Sequence, residues 1–315
     1  MAIQQETRSL VKCAVGQWVL EERLAMGRYS EVYRAHHGES HQDAVVKVLR
    51  SDLDDPKEGD RALAREREAL SACSHPGIPQ AMKRVEVTGR HGLLMSYCFG
   101  HPVIRLVREV PNFDRFGVLR ALARLIAHVH QRGFVHGDIS LENVLMAPNG
   151  RVFLTGFSNA RRERSGGSEM ITRVFRKKNH QGGPFTYLAP EIMGSKSQTK
   201  SSDVFAFGVC AFLMLTKQRP YPVATKEAYL ALAARHERAD IIRYHSQMPR
   251  TYASIINRCV CMDPATRITD GQELSDSFDV FFGHTDSPKP SELSKQFAPR
   301  AKDAQKEEGD IRWMD

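Results

Sequence analysis

The hydrophobic pattern of this chain changes rhythm once. Up to about residue 97, apolar positions alternate with polar ones or gather in short β-branched runs. Residues 17–23 alternate as a strand does, residues 24–35 read as strand, turn, strand, and Asp43–Leu49 is a β-branched run with one lysine inside it. Two further strand-like runs follow, the second closing with Leu93, Leu94, Met95, Ser96 and Tyr97. One charged segment, residues 57–72, interrupts them as a helix, with Leu63, Ala64, Arg67 and Leu70 at helical spacing. The run His75-Pro76-Gly77-Ile78-Pro79 ends that helix.

After Gly100-His101-Pro102 breaks the pattern, the period lengthens. Val118, Leu119, Leu122, Leu125, Ile126 and Val129 recur at steps of three and four, predicting a long amphipathic helix that delivers the chain to His136. Val152–Leu154 reads as a short strand, and helical patterns return at residues 203–215, 226–234, 252–261 and 271–282. Residues 159–183 hold no periodic apolar face and read as a long loop. Residues 1–14 read as a flexible leader, and the Pro-, Ser-, Lys- and Glu-rich residues 283–315 as a disordered tail. No internal repeat is visible.

Composition narrows the classes without choosing one. With 315 residues and 41% hydrophobic content, the chain can build one large domain or two lobes. The net charge of +8 comes from dispersed basic residues except around residues 161–178, which favours a solvated basic loop over nucleic-acid binding. Six cysteines, Cys13, Cys73, Cys98, Cys210, Cys259 and Cys261, form no Cys-x2-Cys pair, so zinc and redox motifs find no support. No stretch has signal-peptide character or the roughly 18 apolar residues of a membrane span, so a soluble, cytoplasmic protein is expected.

Candidate chemistry centres on His136-Gly137-Asp138-Ile139-Ser140-Leu141-Glu142-Asn143. An acid fixed by a short loop, with a carboxamide five residues on, suits phosphoryl transfer: the acid orients a hydroxyl and the amide helps hold a metal. On its own the pattern is weak, because a loop aspartate is more often a turn residue. Its weight comes from what stands at matching distances on either side.

Taken together, these motifs make residues 15–282 resemble the protein kinase family. Gly27 and Val32 stand in a glycine-type loop, Lys47 where the family has its strand lysine, and Glu66 nine residues before His75-Pro76. Downstream stand Ala189-Pro190-Glu191, Asp203 with Phe207-Gly208, and Asp263-Pro264-Ala265-Thr266-Arg267. The resemblance implies an α+β, two-lobed fold: a sheet-rich lobe over 15–97 with one helix, a hinge near Tyr97-Cys98, and a helical lobe over 101–282 with nucleotide between them. It implies that Lys47 holds phosphates with Glu66 as its partner, and that Asp138 occupies the base position. The implied nucleotide contacts are Ala25, Gly27, Ser30, Val32, Val45, Lys47, Met95, Tyr97, Cys98, Asn143 and Leu145, with Asn143 as a metal ligand. Glu191 and Arg267 are implied to form a structural ion pair, and Asp203 to tie its helix to the loop backbone. Leu70, His136 and Phe157 fall where the family stacks one column of core residues, Val32, Val45 and Leu145 where it completes another.

The departures from the family pattern bear on activity. Thirteen residues after Asn143, where the family places its metal-binding aspartate, the chain reads Gly156-Phe157-Ser158. Ser140 replaces a lysine, Ala25 and Ser30 replace two loop glycines, Val45 replaces an alanine, and Gly137 replaces the arginine that reads a phosphorylated loop. Losing one charge-stabilising group typically costs about 3–4 kcal/mol of transition-state stabilisation. The expectation is a pseudokinase that binds ATP with weak or no dependence on magnesium and acts as a scaffold or allosteric partner of another signalling protein or kinase. A weakly active serine/threonine kinase and a small-molecule phosphotransferase are the two other readings.

Overall fold

The computed structural model describes residues 9–163, 187–193 and 197–283. They fall into two units. Among the described residues, the first takes residues 9–99 together with 155–160, and the second takes residues 100–154, 161–163, 187–193 and 197–283.

The first unit is a six-stranded antiparallel sheet with one helix. Its strands are β1 (Ala14–Val15), β2 (Trp18–Met26), β3 (Ser30–His37), β4 (Asp43–Leu49), β5 (Ala81–Val87) and β6 (Arg90–Ser96), in the order β1-β2-β3-β4-β6-β5. Alternation decides the two faces. Leu20, Tyr33, Ala35, Ala44, Val46, Val48 and Leu94 point into one apolar core, while the positions between them, Val32, Val45 and Lys47, share the opposite face. Helix α1 (Pro56–Ala72) starts where the Asp55 carboxylate accepts the Glu58 N–H at 3.1 Å with a proline in the first turn. It buries Ala62, Leu63, Glu66, Ala69 and Leu70. Each buried leucine is worth about 1.5–3 kcal/mol.

Two boundaries differ from those read in the sequence. Over its described part, residues 9–14, the leader belongs to the packed body. Leu10 is buried in the core, its N–H donates to the Tyr33 hydroxyl at 3.4 Å, and the Lys12 N–H donates to the Leu20 carbonyl at 2.6 Å. A single leucine in a polar run offers no period to detect. Residues 155–160, which follow the first strands of the helical unit in sequence, pack with the first unit through a 3-10 turn at Phe157–Asn159 set against α1.

The second unit is mainly helical. Its helices are α2 (Val103–Glu109), α3 (Arg115–Gln131), α4 (Pro190–Met193), α5 (Lys200–Thr216), α6 (Lys226–Ala234), α7 (Arg250–Cys259) and α8 (Gly271–Gly283). Short strands β7 (His101–Pro102), β8 (Phe134–Val135), β9 (Val144–Met146), β10 (Val152–Leu154) and β11 (Arg161–Arg162) pair as β10-β9-β7 and β11-β8. Helix α5 is apolar on all sides and buried from Ser202 to Leu215, which makes it the centre of the unit. Its start is a capping box in which Thr199 accepts the Ser202 N–H and Ser202 accepts the Thr199 N–H. Helix α3 lays its apolar stripe inward, and its outer Arg120 and Arg124 grip Asp279 of α8 at 3.0 and 2.8 Å.

Helix α2 has no counterpart in the sequence reading, because its buried Val103, Ile104 and Val107 span too few turns to show a period. The long loop expected from residue 159 begins instead with strand β11, whose Arg161 and Arg162 pair with Val135 and Phe134. A two-residue ladder leaves no alternation to read. Residues 164–183 of that loop, with most of the basic run at 161–178, lie outside the described residues, as do residues 1–8 and 284–315. Among the described residues, no helix is long and apolar enough to cross a membrane. All six cysteines are free; Cys73, Cys210 and Cys259 are buried, and the other three are half-buried.

Candidate functional site

In the first unit, strand register assembles one set of candidate residues. Ala25 pairs with Val32, Val32 with Lys47, and Val45 with Met95, so the five lie on one sheet face. Gly27 closes the turn ahead of them, its N–H donating to the Ser30 carbonyl at 2.7 Å, and Ser30 is buried. Tyr97 and Cys98 follow β6 and are half-buried.

Lys47 reaches across to α1. Its Nζ donates to Glu66 Oε2 at 2.6 Å and to Ser158 Oγ at 2.7 Å, and Ser158 Oγ lies 3.3 Å from Glu66 Oε2. The Glu66 side chain is 4% exposed and that of Lys47 12%. A carboxylate this deeply buried needs its cation, and the hydroxyl satisfies it further. Ser158 is held in place by its neighbours: Phe157 is wholly buried, and Gly156 sits at φ +84°, a left-handed backbone that glycine adopts without penalty. Ser158 was legible in the sequence only as the third letter of a degenerate motif, so its partnership with Lys47 and Glu66 comes from the structure alone.

A second carboxylate in this unit is just as buried. Glu31 accepts from the Tyr33 hydroxyl at 2.6 Å, from Arg90 at 3.0 Å and from Arg23 at 3.4 Å. Burial pushes its pKa up, but the hydrogen bonds from Tyr33, Arg90 and Arg23 together with the Arg90 charge outweigh that and hold it below the ordinary carboxylate range. Burial and the same Glu31 contact raise the Tyr33 phenol.

In the second unit, the loop from His136 to Asn143 hangs from Asp203. The Asp203 carboxylate, 2% exposed, accepts the His136 N–H at 2.7 Å and the Gly137 N–H at 2.8 Å. His130 Nε2 lies 3.0 Å from the same carboxylate, while its Nδ1 faces the Gly271 N–H at 2.8 Å. A backbone N–H can only donate, so Nδ1 is the acceptor and Nε2 carries the proton to Asp203. From the other side, the Gln198 amide donates to the Gly137 carbonyl at 2.7 Å. Within the loop, the Asp138 N–H donates to His136 Nδ1 at 3.2 Å and the Asn143 carboxamide N–H to the Asp138 carbonyl at 2.8 Å. Leu145 sits on β9 between Phe153 and Pro102. Near the loop, the hydroxyl of the half-buried Tyr187 meets the Glu142 carboxylate, and desolvation raises its phenol pKa far above the usual range, with Cys210 and Glu142 adding to it.

Glu191 and Arg267 form a bidentate pair at 2.7 and 3.0 Å. The Arg267 side chain is fully buried and also donates to the carbonyls of Cys261 and Ser201 and stacks on the Phe205 ring at 4.9 Å. Gln198 and His130 are positioning groups that sequence reasoning missed. Neither falls in a recognisable motif, and their contacts span 61 and 73 residues.

Set against known proteins, residues 18–278 match the protein kinase domain model. The chain belongs to the protein kinase domain family. It is 24% identical over 265 residues to the serine/threonine-protein kinase PrkC of Bacillus subtilis, covering 82% of this chain and 39% of PrkC. It is 29% identical over 265 residues to the serine/threonine-protein kinase PknK of Mycobacterium bovis, covering 81% of this chain and 23% of that protein. The mitogen-activated protein kinase kinase kinase YODA of Arabidopsis thaliana is 25% identical over 269 residues, covering 83% of this chain and 29% of YODA. The chain thus spans well under half the length of these relatives.

Proposed function

We propose that this chain is a pseudokinase: a kinase-fold protein that binds ATP with little dependence on magnesium, transfers little or no phosphate, and serves as an allosteric partner or scaffold for another signalling protein in the cytoplasm. The observation that carries this reading is the coexistence of a closed Lys47–Glu66 pair at 2.6 Å with a glycine at position 156. The first is the phosphate-facing cation held ready; the second removes the carboxylate that would hold the metal.

The residues present suit the nucleotide better than the ion. Lys47 offers an ammonium donor, and on the same unit Ala25, Gly27, Ser30, Val32, Val45, Met95, Tyr97 and Cys98 are the proposed nucleotide contacts. Magnesium prefers an octahedron of hard oxygens anchored by carboxylates. With glycine at position 156, Asn143 remains as one neutral ligand. Asp138 keeps the base position, and its loop is fixed from Asp203, so the chain retains an acceptor for a hydroxyl proton without the charge that would stabilise the moving phosphoryl group.

The test is transfer of labelled phosphate from ATP to protein substrates with magnesium or manganese. The reading expects none above background; transfer abolished by Asp138→Asn would replace it with the second reading, a weak serine/threonine kinase. The intact geometry of the loop, with Asn143 bonded to the Asp138 carbonyl, and the serine/threonine kinases among the relatives favour that alternative.

A further inference from the structure

Lys47, Glu66 and Ser158 form a closed triangle with edges of 2.6, 2.7 and 3.3 Å. An ammonium carries three donors and no acceptor. Two of the Lys47 donors are used by Glu66 and Ser158, and the third has no partner among the described residues. The Ser158 hydroxyl accepts from Lys47, so its proton points at Glu66, across the longest edge of the triangle. That proton is weakly held and sits on a free rotor. The triad is neutral overall, with one positive and one negative charge, and Gly156 adds no further anion beside it. Because Phe157 is buried and the 3-10 turn packs on α1, the hydroxyl is presented from a fixed backbone. Two reorientable donors on one rigid unit, beside a matched ion pair, suit an anion that arrives without a counter-cation.

We propose that Ser158 is a phosphate-binding residue, its hydroxyl and the third Lys47 donor together seating phosphate oxygens of a nucleotide directly. The inference rests on the nucleotide-binding reading above and deepens it, by assigning to a side chain of this protein a contact that would otherwise need a metal. It also gives a physical reason for metal-independent binding: Gly156 leaves no carboxylate to repel bare phosphate, and Ser158, two residues on, offers a neutral donor.

The experiment is calorimetric titration of the full chain with ATP in EDTA, with ATP and magnesium, and with adenosine, comparing the wild type with Ser158→Ala and Ser158→Thr. The expected result is metal-free ATP binding by the wild type, weakened about tenfold in Ser158→Ala as for loss of one charge-assisted hydrogen bond. Ser158→Thr, which keeps the hydroxyl, should stay within about twofold of the wild type, and adenosine affinity should be unchanged in all three. Equal or tighter ATP binding by Ser158→Ala overturns the assignment and leaves the nucleotide reading standing. Parallel loss of ATP and adenosine binding shows a purely structural serine and also overturns it. No ATP binding by the wild type under either condition overturns the nucleotide reading and this inference with it.

Discussion

Two buried ion pairs in this molecule look alike in outline and differ in completeness. In the helical unit, Arg267 meets Glu191 through both guanidinium arms, has its remaining donors taken by backbone carbonyls, and is sealed from water. In the sheet unit, Lys47 meets one oxygen of Glu66, borrows a serine hydroxyl, and stays partly exposed with a donor to spare. A pair whose every donor is answered holds the fold together; a pair left one partner short is arranged for something that comes and goes. Removing one member of a buried pair costs far more than the pair contributes, because the other charge is stranded. The two should therefore respond differently to the same kind of truncation.

The largest effect is expected from Arg267→Ala, which strands Glu191 and should lower stability by about 3–5 kcal/mol in denaturant titration. A loss below about 1 kcal/mol, the size of a surface pair, would erase the distinction. Lys47→Met also strands a buried carboxylate, Glu66, so it should lower stability and, beyond that, abolish the ligand response. At 100 times its dissociation constant a ligand adds about 2.7 kcal/mol of stability, and that increment should vanish in this variant when each protein is compared with and without ATP. Persistence of the ATP-induced thermal shift would show that Lys47 is structural after all.

A smaller effect, about 2 kcal/mol, is expected from Gly137→Ala. The backbone there sits at φ +76°, and a Cβ would strike the Gln198 amide that holds the Gly137 carbonyl. Denaturant titration of the variant checks it, and Gly137→Ala with wild-type stability would mean that Gln198 is not a clamp.

Glu31 tests whether completeness, and not the choice of unit, is what matters, since it is a fully satisfied carboxylate on the sheet side. Its folded pKa lies below the ordinary glutamate value of 4.5, so the stability it contributes is present above that value and is lost as pH falls through the lower, folded one. Glu31→Gln should cost about 1.5 kcal/mol at neutral pH and flatten the acid limb of the stability curve. An unchanged acid limb would count against the network. The smallest stability change, about 1 kcal/mol, belongs to Gly156→Asp, because aspartate tolerates a left-handed backbone. Its signature is a gain, magnesium dependence of ATP binding, and binding that stays indifferent to the metal would break the link between position 156 and the ion.

Much of this architecture was readable because periodicity survives in long elements. The stripe from Val118 to Val129 gave α3, the alternation around Val46 gave β4, and residues 226–234 coincide with α6. Motif spacing likewise brought forward Lys47, Glu66, Asp138, Asn143 and Asp203 as positions worth examining. What escaped were short or solitary features. Helix α2 and strand β11 are too brief to show a period, Leu10 is one apolar residue in a polar run, and Ser158 and Gln198 act through contacts 111 and 61 residues away. Spacing finds residues that share a rule. It passes over a residue whose importance lies only in where folding happens to deliver it.

The amide of Gln198 lodged against Gly137 also limits what position 137 can carry. An arginine at position 137 would put a side chain where that amide sits, on a left-handed backbone that favours glycine, so the Gln198 side chain would have to swing aside. Position 137 and position 198 therefore answer to one another, and a side chain introduced at the first is felt at the second.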